Sequence, residues 1–215
     1  MRPTEPTTEP HRTDYGFVRR EYVRPFLPSG VERALDVGCG NGGFCSVLKE
    51  AGAGQVWGID PDRRAAANAA AWADRIVVGR FPDDVPADAP PFDLVAFTDV
   101  LEHFEDPWSA LRATATFLAP GGAVVASIPN IRFWPVLWAL LVRRDFRYED
   151  QGVLDRTHLR FFTRRTMIEL FEASGFRVER GEPREYVGGK RARAVALMLG
   201  RDVRVKQYVL LARPV

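Results

Sequence analysis

Long apolar runs are missing from this sequence. The longest, Phe133 to Val142, is interrupted by Pro135 and reaches about half the ~20 residues needed to cross a bilayer. That excludes a helical membrane span. The opening MRPTEPTTEPHRTD carries charge and proline but no apolar segment, so it fits no secretory leader, and residues 1–14 read as a disordered tail. Cysteine is scarce. Cys39 and Cys45 share one glycine-rich stretch without a nearby histidine, a poor setting for a structural disulfide or a metal. Free thiols point to a reducing cytoplasm. Histidine is scarce too. His11, His103 and His158 lie far apart in the chain, and no carboxylates have calcium-loop spacing, so no metal is expected. Nor is there an excess of one charge sign: 30 Lys and Arg against 28 Asp and Glu leave +2. Those basic residues are scattered, which argues against a nucleic-acid partner.

What remains is ordinary globular composition, 46% hydrophobic and 27% charged over 215 residues. That suits a single domain over 15–215, with an insertion at about 130–157. Strand-like and helix-like segments alternate. An entry helix is predicted over 16–27, and strands over 33–37, 55–59, 75–78, 92–98 and 123–128. Between them fall helices over 43–51, 63–73 and 107–118, the last with Asp106 as cap and Pro107 in its first turn. Ala119-Pro120-Gly121-Gly122 reads as its stop. Thr163 to Ser174 is a capped helix, and 176–179 and 207–212 are two late strands. Residues 188–200 are basic and apolar without a clear assignment. Strands apolar on both faces, alternating with helices, imply a parallel sheet covered on two sides.

Chemistry concentrates in Ala34-Leu35-Asp36-Val37-Gly38-Cys39-Gly40-Asn41-Gly42-Gly43-Phe44, a strand running through glycines into a helix. Glycine permits the sharp turn and the close approach of backbone to a ligand. Asp60 ends the next strand at about the twenty-residue spacing at which a carboxylate accepts from ribose hydroxyls. Gly38, Gly40 and Gly43 also satisfy the dinucleotide pattern, so an NAD-linked oxidoreductase is one reading. Asp36 favours another. An anion at the mouth of the turn repels a pyrophosphate and suits the ammonium and sulfonium of S-adenosylmethionine.

The ALDVGCGNGGF segment resembles the first motif of the class I S-adenosylmethionine-dependent methyltransferases, and VWGID resembles their second. PFDLVAFTDVLEHFEDP is similar to the fourth-strand segment of the ubiquinone-biosynthesis-like branch, and LAPGGAVVASIPN to the helix, turn and strand that follow. HLRFFTRRTMIELFEASGF resembles a late segment of small bacterial members. The likeness spans roughly residues 30–182 plus a final strand. It implies a Rossmann-like, doubly wound, three-layer α/β/α fold. Its seven-stranded sheet would be mostly parallel with an antiparallel last strand, here about 206–212. It implies S-adenosyl-L-methionine as cofactor. Asp36 would face the donor's amino-acid end, with the backbone of Gly38, Cys39 and Gly40 along it and Asp60 on the ribose. Phe81 falls near the adenine position and Thr98 near the donor; for both, simple packing is the alternative. Arg80 stands where members often carry an acidic residue for the adenine amino group, with Asp83 or Asp84 as substitutes.

An oxygen acceptor benefits from a general base near neutral pKa. His103, just past the fourth strand, and His158 are the candidates, with Glu102 and Asp155 as orienting partners. Packing a turn and pinning the insertion are their structural alternatives. Trp134 and Trp138 make the insertion the candidate substrate wall, a lid for an aromatic or sugar acceptor. With its basic flanks, 131–147 equally suits weak contact with a membrane surface, a core position, or a homodimer contact. The leading expectation is methyl transfer to a small-molecule or saccharide acceptor, at oxygen. A catalytically silent S-adenosylmethionine-binding module is the third reading.

Overall fold

A computed structural model describes residues 16–215. The expected tail 1–14 lies outside the described residues. Seven strands form one sheet in the order β3-β2-β1-β4-β5-β7-β6. Strands β1 (Arg33–Val37), β2 (Gln55–Asp60), β3 (Arg75–Val78), β4 (Phe92–Thr98) and β5 (Leu118–Pro129) run parallel. The last strand, β7 (Val205–Pro214), inserts antiparallel between β5 and β6 (Phe176–Tyr186). This is the doubly wound, mostly parallel sheet with a reversed final strand that the motifs imply.

Successive side chains of a strand point to opposite faces, and here each face has its own core. Leu35, Val37, Val95, Phe97, Val124 and Ala126 meet α3 (Pro107–Thr114) and α5 (Arg164–Glu172) through Leu111, Met167, Leu170 and Phe171. Ala34, Leu94, Ala96, Ala123 and Val125 meet α1 (Gly43–Glu50) and α2 (Arg63–Ala69) through Phe44, Leu48 and Ala69. Full burial of each large side chain contributes about 1.5–3 kcal/mol, which fixes register because a slip of one residue would invert both cores.

Strand order reverses between β1 and β4. The crevice beyond the carboxyl ends of strands at such a switch point is where open α/β sheets bind ligands.

Several boundaries differ from the sequence expectation. The entry helix shrinks to a 3-10 turn over Glu21–Phe26, which contains Pro25. The Ala-rich helix α2 stops at Ala69, and α3 stops at Thr114, whose hydroxyl bonds back to Ala110 O at 2.9 Å. Strand β5 begins at Leu118 and runs through the Pro-Gly-Gly expected to precede it. Strand β6 continues to Tyr186 despite Gly181 and Pro183. As the edge strand it needs bonds on one side only, and a register shift sits between Val178 and Arg180. Residues left unassigned form α6 (Lys190–Leu199). Asp106 and Thr163 cap their helices as expected.

The segment after β5 is compact. Asn130 is buried and donates to the carbonyls of Asp202 at 2.9 Å and Val205 at 2.8 Å. The short helix α4 (Trp134–Leu141) follows, and Val136 packs with Val153 and Leu154 in a small core of its own. Among the described residues no helix is long and apolar enough to cross a membrane.

Candidate active site at the carboxyl edge

The turn after β1 is held by backbone. Gly38 and Cys39 N–H groups both donate to Ile59 O, at 2.8 and 3.3 Å, tying the turn to β2. Gly38 has φ +67°, and a Cβ there would lie 2.6 Å from Val100 Cγ2, so both conformation and space demand glycine. At Gly40 a Cβ would meet nothing within 4 Å, which leaves that edge of the loop open.

Asp36 lies beneath this loop, 1% exposed. Its Oδ2 accepts from Cys45 Sγ at 3.4 Å, while Oδ1 is buried with no hydrogen-bond partner among the described residues. Burial pushes its pKa up to about 7, against the pull of Arg20 and the Cys45 bond and with a contribution from Asp60. A buried, unpartnered carboxylate oxygen costs free energy until a donor reaches it. Asp60 ends β2, where Oδ2 accepts from Gly40 N and Oδ1 from Asp62 N, both at 2.8 Å. Burial raises its pKa and those two bonds oppose the shift. Each oxygen keeps a further lone pair for a ribose hydroxyl. Cys39 and Cys45 are buried free thiols; the Cys45 thiol is raised first by its bond with Cys39, then by burial and by Asp36.

Two of the residues expected near the donor are buried in this structure. Phe81 is 5% exposed and lies in the core against Phe97 and Phe117, with ring centroids 5.5 Å away in each case. Thr98 is 1% exposed at the end of β4. The residue after it is the one that sequence reasoning missed. Asp99 adopts φ +58°, the left-handed conformation. It accepts from Arg20 Nε at 2.9 Å, Tyr22 Oη at 3.1 Å, Ser127 Oγ at 2.7 Å, and Gln207 Nε2. A carboxylate directly after β4 at the switch point was the available signal.

The fold brings together the two histidines that the sequence separates. Their ring centroids are 4.8 Å apart, edge to face. His103 Nδ1 bonds Thr157 O and His158 Nδ1 bonds Val153 O, each at 3.1 Å. Glu102 is 1% exposed with neither carboxylate oxygen hydrogen-bonded among the described residues, and His158 Nε2 stands 3.9 Å from Oε1. Burial, then Asp99, raises the Glu102 pKa well above the carboxylate range. Burial lowers both histidines, and His158 adds to the effect on His103. Both shifts favour the neutral imidazole, the form that accepts a proton. The expectation that the histidines are too distant to share a metal is corrected here. Ligand atoms of Glu102, His103 and His158 lie within 4.8 Å of one another, close enough to hold a cation. Asp155 accepts at Oδ1 from Thr157 N and Oγ1, at 2.8 and 2.6 Å, which holds the loop that carries His158.

Trp134 and Trp138 pack on each other with centroids 5.1 Å apart, and Trp138 is 40% exposed. The aromatic path that reaches the histidines is a different one. Phe161 lies 6.3 Å from His158, and Phe146 and Tyr148 lie 6.2 and 6.4 Å from Phe161. Neither Phe146 nor Tyr148 stood out in sequence, because nothing local marks a residue whose role is set by a distant loop.

A methyltransferase-domain family model matches residues 13–180. The chain belongs to that family. Its members use S-adenosylmethionine, which makes this chain a class I methyltransferase by family and fold and sets aside the NAD reading. The residues present fit that donor: an unpartnered carboxyl oxygen at Asp36, an open loop edge at Gly40, and a carboxylate with further acceptor capacity at Asp60. Among curated relatives, ubiquinone biosynthesis O-methyltransferases from Alkalilimnicola ehrlichii and Xylella fastidiosa are 36% and 30% identical. The alignments cover 60% and 75% of this chain and 54% and 71% of those proteins. Against another, from Ralstonia nicotianae, only 48% of the relative is covered, so the chain spans about half the length of several it matches. Solved S-adenosylmethionine-dependent methyltransferases from Archaeoglobus fulgidus and Mesorhizobium loti share the fold. Their TM-scores are 0.64 and 0.60 at 19% and 24% identity, with coverage of 89% of this chain in both cases and 90% and 95% of theirs.

Proposed function

We propose that this methyltransferase moves a methyl group from S-adenosylmethionine to an oxygen of a small-molecule or saccharide acceptor. The bound donor supplies an activated methyl on its sulfonium. Asp36, with the backbone of Gly38, Cys39 and Gly40, binds the donor's amino-acid end, and Asp60 holds the ribose. The observation that carries the donor assignment is the buried, unpartnered Oδ1 of Asp36 beneath an open glycine loop. A cationic ammonium relieves that cost, whereas a pyrophosphate would add to it.

At the acceptor side His103 is the base. Its Nδ1 donates to Thr157 O, which fixes the orientation of the ring beside the carboxyl end of β4, where an acceptor hydroxyl would give up its proton. His158 packs on it and orients the ring, while burial, then His158, favours the neutral form. The O-methyltransferase names of the curated relatives support oxygen as the methylated atom.

We assign acceptor choice to the 130–157 appendage of a single domain spanning 15–215. Trp138, Phe146 and Tyr148 offer exposed aromatic faces there, suited to a flat ring or a sugar. Leu140, Leu141 and Val142 are exposed beside Arg143 and Arg144, so weak contact with an anionic membrane surface is the second reading of α4. The two free thiols suit a reducing cytoplasm. Incubation with methyl-labelled donor and pools of phenols and saccharides tests the reaction. Label transferred to oxygen supports it; label on nitrogen or carbon alone contradicts the choice of atom.

A further inference from the structure

From Gly16 to Tyr22 the chain lies across the elements that border the donor site. Gly16 O accepts from Asn41 Nδ2 at 2.9 Å, in the glycine loop. Phe17 packs on Trp72, beyond the end of α2, with ring centroids 5.1 Å apart. The backbone of Val18 passes so close to Gly43, the first residue of α1, that a Cβ there would overlap the Val18 carbonyl. Arg20 and Tyr22 then reach Asp99 after β4. The crossing thus runs from α1 and α2 to the switch-point strand.

The ties along this segment are unequal. Phe17 and Val18 are 45% and 47% exposed, and Arg19 pairs with Glu21 and Glu50 on the surface, where ion pairs hold little. The Arg20–Asp99 pair is far less exposed, at 17% and 29% of the side chains. Tyr22 shares the same carboxylate oxygen, Oδ2, and carries the Arg184 guanidinium 3.3 Å above its ring. The other oxygen, Oδ1, is held by Ser127 and Gln207, from β5 and β7. One carboxylate therefore joins the crossing segment to the body of the sheet. Both ends of the ion pair, Arg20 at φ +52° and Asp99 at φ +58°, occupy left-handed backbone, a conformation kept only where surrounding contacts demand it.

We propose that Asp99 is a positioning residue that clamps Gly16–Tyr22 as a strap over the donor site, and that donor enters and product leaves when this strap lifts. The inference rests on the donor-site assignment above. Asp99→Asn isolates the clamp, because asparagine tolerates left-handed backbone while losing the charge that holds Arg20.

Two readouts on the full chain test it. Trypsin cuts after Arg19 and Arg20 only when the strap lifts, so cleavage follows the open population. In the ligand-free protein, Asp99→Asn should be cut there about tenfold faster or more, as expected for losing a hydrogen-bonded charge pair. The remaining sites should be cut as in the parent. Stopped-flow exchange of S-adenosylhomocysteine should show association and dissociation both accelerated, a rate pattern that simple loss of affinity does not produce. Arg20→Gln removes the tryptic site after residue 20, so it should match Asp99→Asn in cleavage after Arg19 and in exchange rates, and the double variant should add nothing to either of these, which keeps the test usable if one variant folds poorly. Unchanged cleavage at Arg19 and Arg20, or unchanged exchange rates with ligand still bound, overturns the strap. Failure of the parent protein to bind S-adenosylhomocysteine would overturn the donor-site assignment instead, and the ligand-free cleavage comparison would still decide the clamp.

Discussion

His103 and His158, remote in the chain, stand edge to face with ring centroids 4.8 Å apart. The contact exists because the return leg of the 130–157 appendage is stitched to the turn after β4: Leu159 N and Arg160 N both donate to Glu102 O, at 2.9 and 3.0 Å. Acceptor-side chemistry and the appendage are thus one structural unit. His103→Ala should lower kcat by about 10²- to 10⁴-fold, the range for a lost general base, with little change in donor affinity. His158→Ala should cost less, because it acts through the ring of His103. Steady-state kinetics at saturating donor checks both. Equal, small losses would remove the base assignment and leave positioning alone.

Asp36 makes donor binding sensitive to pH. Its pKa is raised to about 7 by burial, so ligand binding that needs the anion must release its proton. Affinity for S-adenosylhomocysteine should weaken about tenfold from pH 8 to pH 6, as the ionised fraction falls from about nine-tenths to about one-tenth. Asp36→Asn should bind weakly and lose this dependence. The stability of the ligand-free protein moves the other way. A raised carboxyl pKa means that the fold holds the proton more tightly than the unfolded chain does. This contribution is present in full below the unfolded value and is lost as pH rises through about 7. Calorimetric titrations and thermal melts across that range separate the two effects.

Asp60→Ala should weaken donor binding by roughly 1–3 kcal/mol through lost ribose hydrogen bonds. The same carboxylate also holds Gly40 N and Asp62 N, so the substitution should lower Tm as well. Unchanged affinity would contradict the ribose assignment, and a changed Tm alone would mark Asp60 as a loop brace.

Much of this was legible in sequence, and the reason is local chemistry. The glycine turn, the carboxylates at the ends of β1 and β2, and the caps Asp106 and Thr163 are each encoded within a few residues. Apolar pattern set the strands, since both faces of the sheet are buried. What sequence did not disclose depends on pieces that are distant in the chain. Asp99 carries no local mark of its role, because its partners, Arg20, Tyr22, Ser127 and Gln207, come from three other parts of the chain. Phe81 falls near the family's adenine position in sequence, and its packing in the core against Phe97 and Phe117 is set by residues remote from it. The 55-residue separation of His103 and His158 in the chain says nothing of their distance once the appendage folds back.

Gly38→Ala tests the backbone requirement at the loop. Left-handed φ at a residue bearing a Cβ costs about 1–2 kcal/mol, and overlap with Val100 adds to it. Thermal or chemical denaturation should show at least that loss. The corresponding change at Gly121, which also has positive φ but open space around its Cβ position, should cost only the backbone part. Equal losses at the two sites would remove the role assigned to close packing at Gly38.

The most direct test of the donor site is a structure of the protein with S-adenosylhomocysteine bound. The ligand's ammonium should lie within hydrogen-bond reach of Asp36 Oδ1, directly or through one water, with both ribose hydroxyls on Asp60. A ligand seated in the crevice while Asp36 Oδ1 stays buried and unpaired would contradict it.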